Sequence, residues 1–420
     1  MRRRSAFLVG AFGVAVVACQ LVAGIERVEK TDPPPPEAGP DLFVPDAAIP
    51  DPCLHVRPPP APAVDDAPND SLEPFYLALR EVTLVPKGSE PVLGFDLDNA
   101  CTCDTRPGAA FDGGPSCTSS RKARCDSDGG VDNQVAIGLR DYSGFIDIDK
   151  AASINDRIAS GEQTSILVVS KYNGRANDSD VKFGVFTSEG IRDGSPCPGS
   201  APAANGFTTP GWCGEDNWTA SSSSVDVGGS GIVPKSVGTG YVTNYQFVVE
   251  LNSPASVPFG GYRLTLGSPI SRGRLVPLND KLAVVDTSNG PALDQIKHWR
   301  IDDSVIAGRV PVSELLAALG TVNTPGDAGG GQKPPLCTQP DTFNLLKATI
   351  CDQIDVNASK LLDFIPNASC DAISVAIGLT AGSVRVTRTE PAAATTNVCY
   401  PTADGGGPMA GPSNVDYQCP

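Results

Sequence analysis

Thirteen cysteines are spread through the chain without the paired C-x2-C knuckles of common zinc sites, and this constrains the fold more than any other feature. Thirteen cysteines without metal motifs are too many for a chain kept in a reducing compartment, so the covalent frame is expected to be disulfides formed in an oxidising one. The odd count leaves one cysteine over for another role. The rest of the composition agrees with a loop-rich, disulfide-framed body. Asp outnumbers Glu 36 to 12, and 44 Gly and 39 Pro favour turns and short strands over long helices. A net charge of −16 argues against nucleic acid as a partner. Only two His residues occur, which leaves little room for His-based metal sites or a catalytic triad.

The N-terminus supplies a role for the odd cysteine. Met1-Arg2-Arg3-Arg4 precedes an apolar run from Ala6 to Val17, the layout of a secretory signal. Such a run rises about 18 Å as a helix against about 30 Å of hydrocarbon, too little for a permanent span. It ends Val16-Val17-Ala18-Cys19, which resembles the bacterial lipoprotein signal, with Val16 where that family more often has Leu. The resemblance implies that Cys19 is diacylated on its thiol, that the chain is cut before it, and that the new amine is acylated. Several acyl chains give stable membrane attachment. Gln20 in place of Asp implies the outer membrane, with the periplasmic or surface-facing side left open. An ordinary secretory signal cut near Ala18 is the alternative, and it would leave Cys19 as a thiol. Setting Cys19 aside leaves twelve disulfide candidates: Cys53, Cys101, Cys103, Cys117, Cys125, Cys197, Cys213, Cys337, Cys351, Cys370, Cys399 and Cys419. Cleavage would also remove three Arg and take the net charge to −19.

Composition divides the remainder. Residues 1–18 are the signal, and 19–68 a lipidated N-terminus and Pro-rich spacer, with 13 Pro between Thr31 and Pro68. Residues 69–325 read as a mainly β, sandwich-like body with a few short helices. Strands are predicted over Phe75–Val85, Val92–Leu97, Thr164–Lys171, Val181–Thr187, Tyr241–Leu251, Tyr262–Leu266, Leu282–Val285 and Ile296–Val310. Helices are predicted over Asp149–Ser160 and Pro311–Leu319. A Gly/Pro linker at 326–335 leads to a small disulfide-linked, α-containing C-terminal module, 336–420, with helices over Thr342–Val356 and Cys370–Thr380. Five cysteines in that module suggest one bond back to Cys53, with Cys419 as first partner.

The densest chemistry lies between Gly94 and Gln134. Cys101, Cys103, Cys117 and Cys125 suggest two local disulfides. Asp96 and Asp98 precede them, and Asp126, Asp128 and Asp132 follow around Gly130. Carboxylates at alternate positions of a Gly-containing loop suit Ca²⁺, although no Glu closes the run as in an EF-hand. An Asx-rich turn with solvated acids is the competing reading. The pair Gly94-Phe95-Asp96-Leu97-Asp98 and Gly130-Val131-Asp132-Asn133-Gln134 resembles a group of predicted myxobacterial lipoproteins. The spacer and the Cys19-Gln20-Leu21 start match as well. That resemblance implies location and little chemistry.

No H-E-x-x-H, G-x-S-x-G or Walker motif occurs. His55 lies in the spacer and His298 in a predicted strand. Trp212, Trp218 and Trp299 suit either a sugar platform or, with Cys197 and Cys213, a disulfide-closed loop packed by an aromatic. The expectation is a non-enzymatic outer-membrane lipoprotein that binds an unidentified protein or glycan or serves envelope structure. The alternatives are calcium-stabilised adhesion or carbohydrate binding and, last, a carboxylate-dependent hydrolase.

Overall fold

In the computed structural model the first strand of the body hydrogen-bonds to the last. The structure describes residues 56–68, 71–84, 91–102, 115–118, 124–127, 129–140, 154–322, 335–392 and 416–419, apart from 204, 229–230, 260–261, 289 and 291. Residues 50–420 form one unit and Met1–Ile49 another, the latter outside the described residues along with Cys19, Cys53, Cys103, Asp128 and Cys399.

The barrel strands are β1 (Phe75–Thr83), β2 (Thr164–Ser170), β3 (Asp178–Ser188), β7 (Ser236–Thr243), β8 (Gln246–Leu251), β10 (Tyr262–Leu278), β11 (His298–Pro311) and β12 (Ala372–Glu390). They pair in the order β1-β2-β3-β7-β8-β10-β11-β12, and β12 returns to β1. Every one of these pairings is antiparallel. The expected sandwich is therefore corrected to a closed eight-stranded antiparallel barrel. Alternating burial serves both architectures equally, because each hides one face of every strand; only the β1–β12 ladder, which removes both open edges, separates them.

The separate C-terminal module is corrected too. Cys370–Thr380 was expected to be helical, yet it lies largely in β12, a stave between β11 and β1. Ala372 to Gly378 is buried throughout, because one face looks into the barrel while residues 91–98 cover the other. A run buried on both sides loses the period-2 signal. Tyr241–Leu251 is a hairpin, β7 and β8, turning through Asn244 and Tyr245 at φ 50° and 63°, left-handed values suited to a two-residue turn. Val92–Leu97 and Leu282–Val285 enter only single bridges, Phe95↔Asp132 and Leu278↔Val284.

Four helices are described: α1 (Gln134–Arg140), α2 (Ile154–Ala159), α3 (Val312–Gly320) and α4 (Pro340–Cys351). None of them is long and apolar enough to cross a membrane. The barrel interior is filled by Leu77, Val169, Phe183, Phe247, Val249, Ile301 and Ile377, and the same cluster continues onto Leu316 of α3 and Phe343 of α4. What space remains is an apolar cavity of about 50 Å³, as expected where eight strands leave just room for side chains. Outside the barrel order, β5 (Val225–Gly228) pairs with β6 (Gly231–Pro234) and β9 (Ala255–Phe259) with β10. The short strand β4 (Asn217–Ser221) adds to β12 in parallel, and Trp218 there packs with Ile166, Phe186 and Val384 on the outer wall.

Disulfides also depart from expectation. Cys197–Cys213 closes the loop that carries Trp212, as anticipated. Cys117, however, bonds Cys370, 253 positions away, in place of a neighbour in the acidic loop. Cys419 bonds Cys351 and so is not the partner of Cys53. Cys101, Cys125 and Cys337 are disulfide-bonded as well.

Because β12 closes the barrel, deleting residues 336–420 is expected to unfold the body as a whole and not to trim a module. Limited proteolysis and circular dichroism of the truncated chain check this; a protease-resistant β core in that chain would refute it.

Candidate functional site: a buried carboxylate cluster and its cleft

The acidic loop lies on the outer wall over β11 and β12. Phe95 anchors it, packing on Val305, Ala307 and Ala376. Its two arms meet at the Phe95↔Asp132 bridge, where the Asp132 amide donates to the Phe95 carbonyl at 3.0 Å. Gly94 permits this approach: a Cβ there would stand 2.8 Å from Val131 Cγ1. Gly129 and Gly130, at φ 79° and 75°, turn the second arm back so that the Ser127 amide reaches the Val131 carbonyl. Asn133 then ties the turn to the wall. Its Nδ2 donates to the carbonyls of Leu93 and Ala376, while its Oδ1 accepts from the Ala136 amide in the first turn of α1.

This scaffold brings Asp96, Asp98 and Asp132 together. All three are buried, and each offers one carboxylate oxygen within 4.8 Å of the others. Asp132 accepts from the Leu97 amide at 2.6 Å and Asp98 from the Ala100 amide at 2.9 Å. Asp126 accepts from the Thr102 amide at 2.7 Å and shares a side-chain hydrogen bond with Asp132. Of the five acids singled out in the sequence, Asp96, Asp98 and Asp132 thus converge and Asp126 is bonded to Asp132, while Asp128 lies outside the described residues.

It missed Asp355. This carboxylate, fully buried behind the loop, accepts from the Ser374 hydroxyl at 2.5 Å and the Ser374 amide at 2.9 Å. The Gln134 amide in turn donates to Ser374 Oγ. No local pattern marks Asp355, which reaches the cluster only because β12 runs beneath the loop.

Burial dominates the electrostatics. It pushes Asp126 up to about 7, with the Asp98 charge adding to the rise and the Thr102 amide opposing it. Burial pushes Asp355 up to about 8 against its bonds from Ser374, with Asp126 and Asp98 adding to the rise. Asp132 is raised well above the ordinary range by burial and by Asp98, Asp126 and Asp355; Asp98 is raised by burial, with Asp96 and Asp363 adding.

Beside the cluster lies a cleft of about 530 Å³ between residues 57–58, the loop and the outer wall of β7, β8 and β10. Asp96 belongs to both the cluster and the cleft lining. Arg57, Asn99, Tyr241, Glu250 and Lys360 also line it. Arg57 donates to Asn99 at 2.6 Å, and Lys360 pairs with Glu250. Residues 56–68 of the Pro-rich segment lie along this wall. The Asp96 amide donates to the Val56 carbonyl, Tyr241 Oη to the Pro59 carbonyl, and the Asn177 and Ser179 amides to Asp66 and Asp65.

Arg309, 1% exposed, holds the lower edge. Its guanidinium makes two bonds to Asp363, at 2.7 and 2.5 Å, and donates to the carbonyls of Leu97 and Asn357. The tryptophans form no platform: Trp218 and Trp299 are buried in different clusters, and Trp212 packs against Trp218 at 6.2 Å. His298 sits at the start of β11, against Gly214.

Arg309→Ala is expected to cost about 3 kcal/mol in chemical denaturation, because it strands the partly buried Asp363 and the Leu97 carbonyl together. A loss under about 1 kcal/mol would mean that the bridge does not hold this edge.

The cluster also sets a pH dependence. Unfolded, these carboxylates ionise near 3.8, whereas in the fold Asp126 keeps its proton to about 7 and Asp355 to about 8. The folded chain thus binds more protons than the unfolded chain between those values. In chelator, stability should be greatest below about pH 4 as far as these groups are concerned, fall as pH rises through 7 and 8, and then level off. Melting curves across that range in chelator check the sign, and a melting temperature that climbs from pH 5 to 8 would contradict it.

The chain matches no protein-family model, no curated protein and no solved structure.

Proposed function

We propose that the protein is a non-enzymatic binding or structural component of the bacterial envelope. In this reading it is anchored in the outer membrane through lipid on Cys19, and Ca²⁺ in the Asp96–Asp98–Asp132 cluster stiffens its β-barrel body. The observation that carries the calcium reading is the convergence of three buried carboxylates at one point. Oxygens that share one Ca²⁺ at about 2.4 Å lie no more than about 4.8 Å apart, and these three fall within that limit. Several carboxylates in one oxygen-only site suit Ca²⁺ better than Mg²⁺, which keeps most of its water. Asp126 stands next to the three and can join them. Asp98, Asp126, Asp132 and Asp355 are acted on by burial, by neutral donors, by one another and by the further carboxylates Asp96 and Asp363, so a bound cation relieves a repulsion that protons otherwise relieve.

The anchor reading is supported by the N-terminal signal pattern at Ala18-Cys19-Gln20 and by the likeness of Gly94–Asp98 and Gly130–Gln134 to the myxobacterial lipoprotein group. The cleft is the binding face for a glycan or protein partner, since Asp96 carries the cluster's charge into its lining. Hydrolysis is the least supported reading, because Glu250, the other carboxylate lining the cleft, is engaged by Lys360.

Calorimetry and melting of the full chain in Ca²⁺ test the metal. Ca²⁺ should raise the melting temperature at pH 8 and flatten the pH dependence, and Asp132→Asn should abolish the shift. No heat and no shift at millimolar Ca²⁺ would end the calcium reading.

A further inference from the structure

Between Ser359 and Asn367 the chain makes a tight loop with an unusual surface. Leu361, Leu362, Phe364 and Ile365 are 81, 43, 58 and 50% exposed, so four of five consecutive residues are large, apolar and turned to solvent. Scattered exposed apolar residues need no explanation, whereas a contiguous group on a rigid base does.

The base is rigid. The fifth residue, Asp363, points inward and is clamped by both guanidinium nitrogens of the buried Arg309, which aims its apolar neighbours outward. The Phe364 amide donates to the Ser116 carbonyl at 2.8 Å, and the Cys117–Cys370 disulfide closes the loop's foot. Phe364 sits at φ 59°, a left-handed conformation unfavourable for an aromatic residue. The fold thus holds the loop in a form that displays these side chains instead of letting them turn in.

The loop shares a face with the first described residues of the body. Lys360, at its start, lines the same cleft as Arg57 and Pro58, and Val56 just before them is hydrogen-bonded to Asp96 and Gly129. Val56, the first of the described residues, therefore lies on this face. Local charge is balanced, with Lys360 paired to Glu250 and Asp363 to Arg309, so the loop tip offers apolar area with its flanking charges neutralised.

We propose that the Leu361–Ile365 loop inserts into the interfacial layer of a zwitterionic bilayer and sets the orientation of the tethered body on the membrane. The inference rests on the lipid-anchored reading above, because the tether holds the loop at high local concentration beside the bilayer. Paired flanking charges make this contact insensitive to salt.

The test uses the full lipidated chain carrying Leu361→Trp, bound to phosphatidylcholine vesicles with or without brominated acyl chains. The native indoles, Trp212, Trp218 and Trp299, serve as background, measured in the unsubstituted chain. Insertion should shift the introduced indole's emission to the blue and give a bromine-dependent loss of it, unchanged by added salt. Leu362→Ser combined with Phe364→Ser should reverse that loss while the protein still floats with the vesicles. Solvent-like, unquenched emission from vesicle-bound protein would overturn the proposal. So would a blue shift that needs no vesicles and grows with protein concentration, since a second copy would then cover the loop. Flotation of the Cys19→Ser chain separates the two readings. If that chain still floats, the anchor assignment fails, and quenching in it decides insertion independently. If it no longer floats while the lipidated chain shows no quenching, the anchor stands and insertion falls.

Discussion

Backbone pairing from Tyr76↔Val384 to Thr83↔Gly378 joins the first strand of the body to the last, and the rest of the molecule hangs on that ladder. Without it the sheet has two raw edges and its apolar face has nothing to close on. With it the interior fills with side chains, and the outer wall becomes a platform on which loops can be mounted. The ladder is also the most non-local contact a chain of this order can make, so it forms only after β12 exists. The Cys117–Cys370 bond then fastens the acidic loop at the foot of that same strand.

The carboxylate cluster is a consequence of this mounting. Phe95 buries itself against β11 and β12 and draws Asp96 and Asp98 down with it. Asn133 and Gln134 draw Asp132 in from the other arm, and Ser374 of β12 presents Asp355 from beneath. Apolar anchoring thus places acids where water solvates them poorly, and the resulting repulsion is met by protons or by a cation. The same wall carries Arg309, whose bridge to Asp363 shapes both the edge of the cleft and the apolar loop beyond it.

How much of this was legible follows from the range of each interaction. The motifs around Gly94 and Gly130 were readable because turns and close approaches demand glycine locally, and the acids beside them followed. The hairpin at Asn244-Tyr245 was hidden, since no glycine marks its left-handed turn. β12 was hidden because it is buried on both faces. Arg309, Asp355 and Asp363 carried no signal, since their partners Leu97, Ser374 and the cluster acids are distant in the chain or meaningful only in three dimensions.

Cysteine number, Asp-rich turns, alternating strands and the N-terminal pattern are properties of short segments. They are enough to define a disulfide-framed, mainly β body and to single out the loop that gathers the acids. Tertiary structure alone decided that the sheet closes into a barrel, that the last strand belongs to the first, and that Cys117 reaches Cys370. The reason is physical. A half-buried strand looks the same in a sandwich and in a barrel, and which edge meets which is settled by backbone hydrogen bonds that every sequence can make.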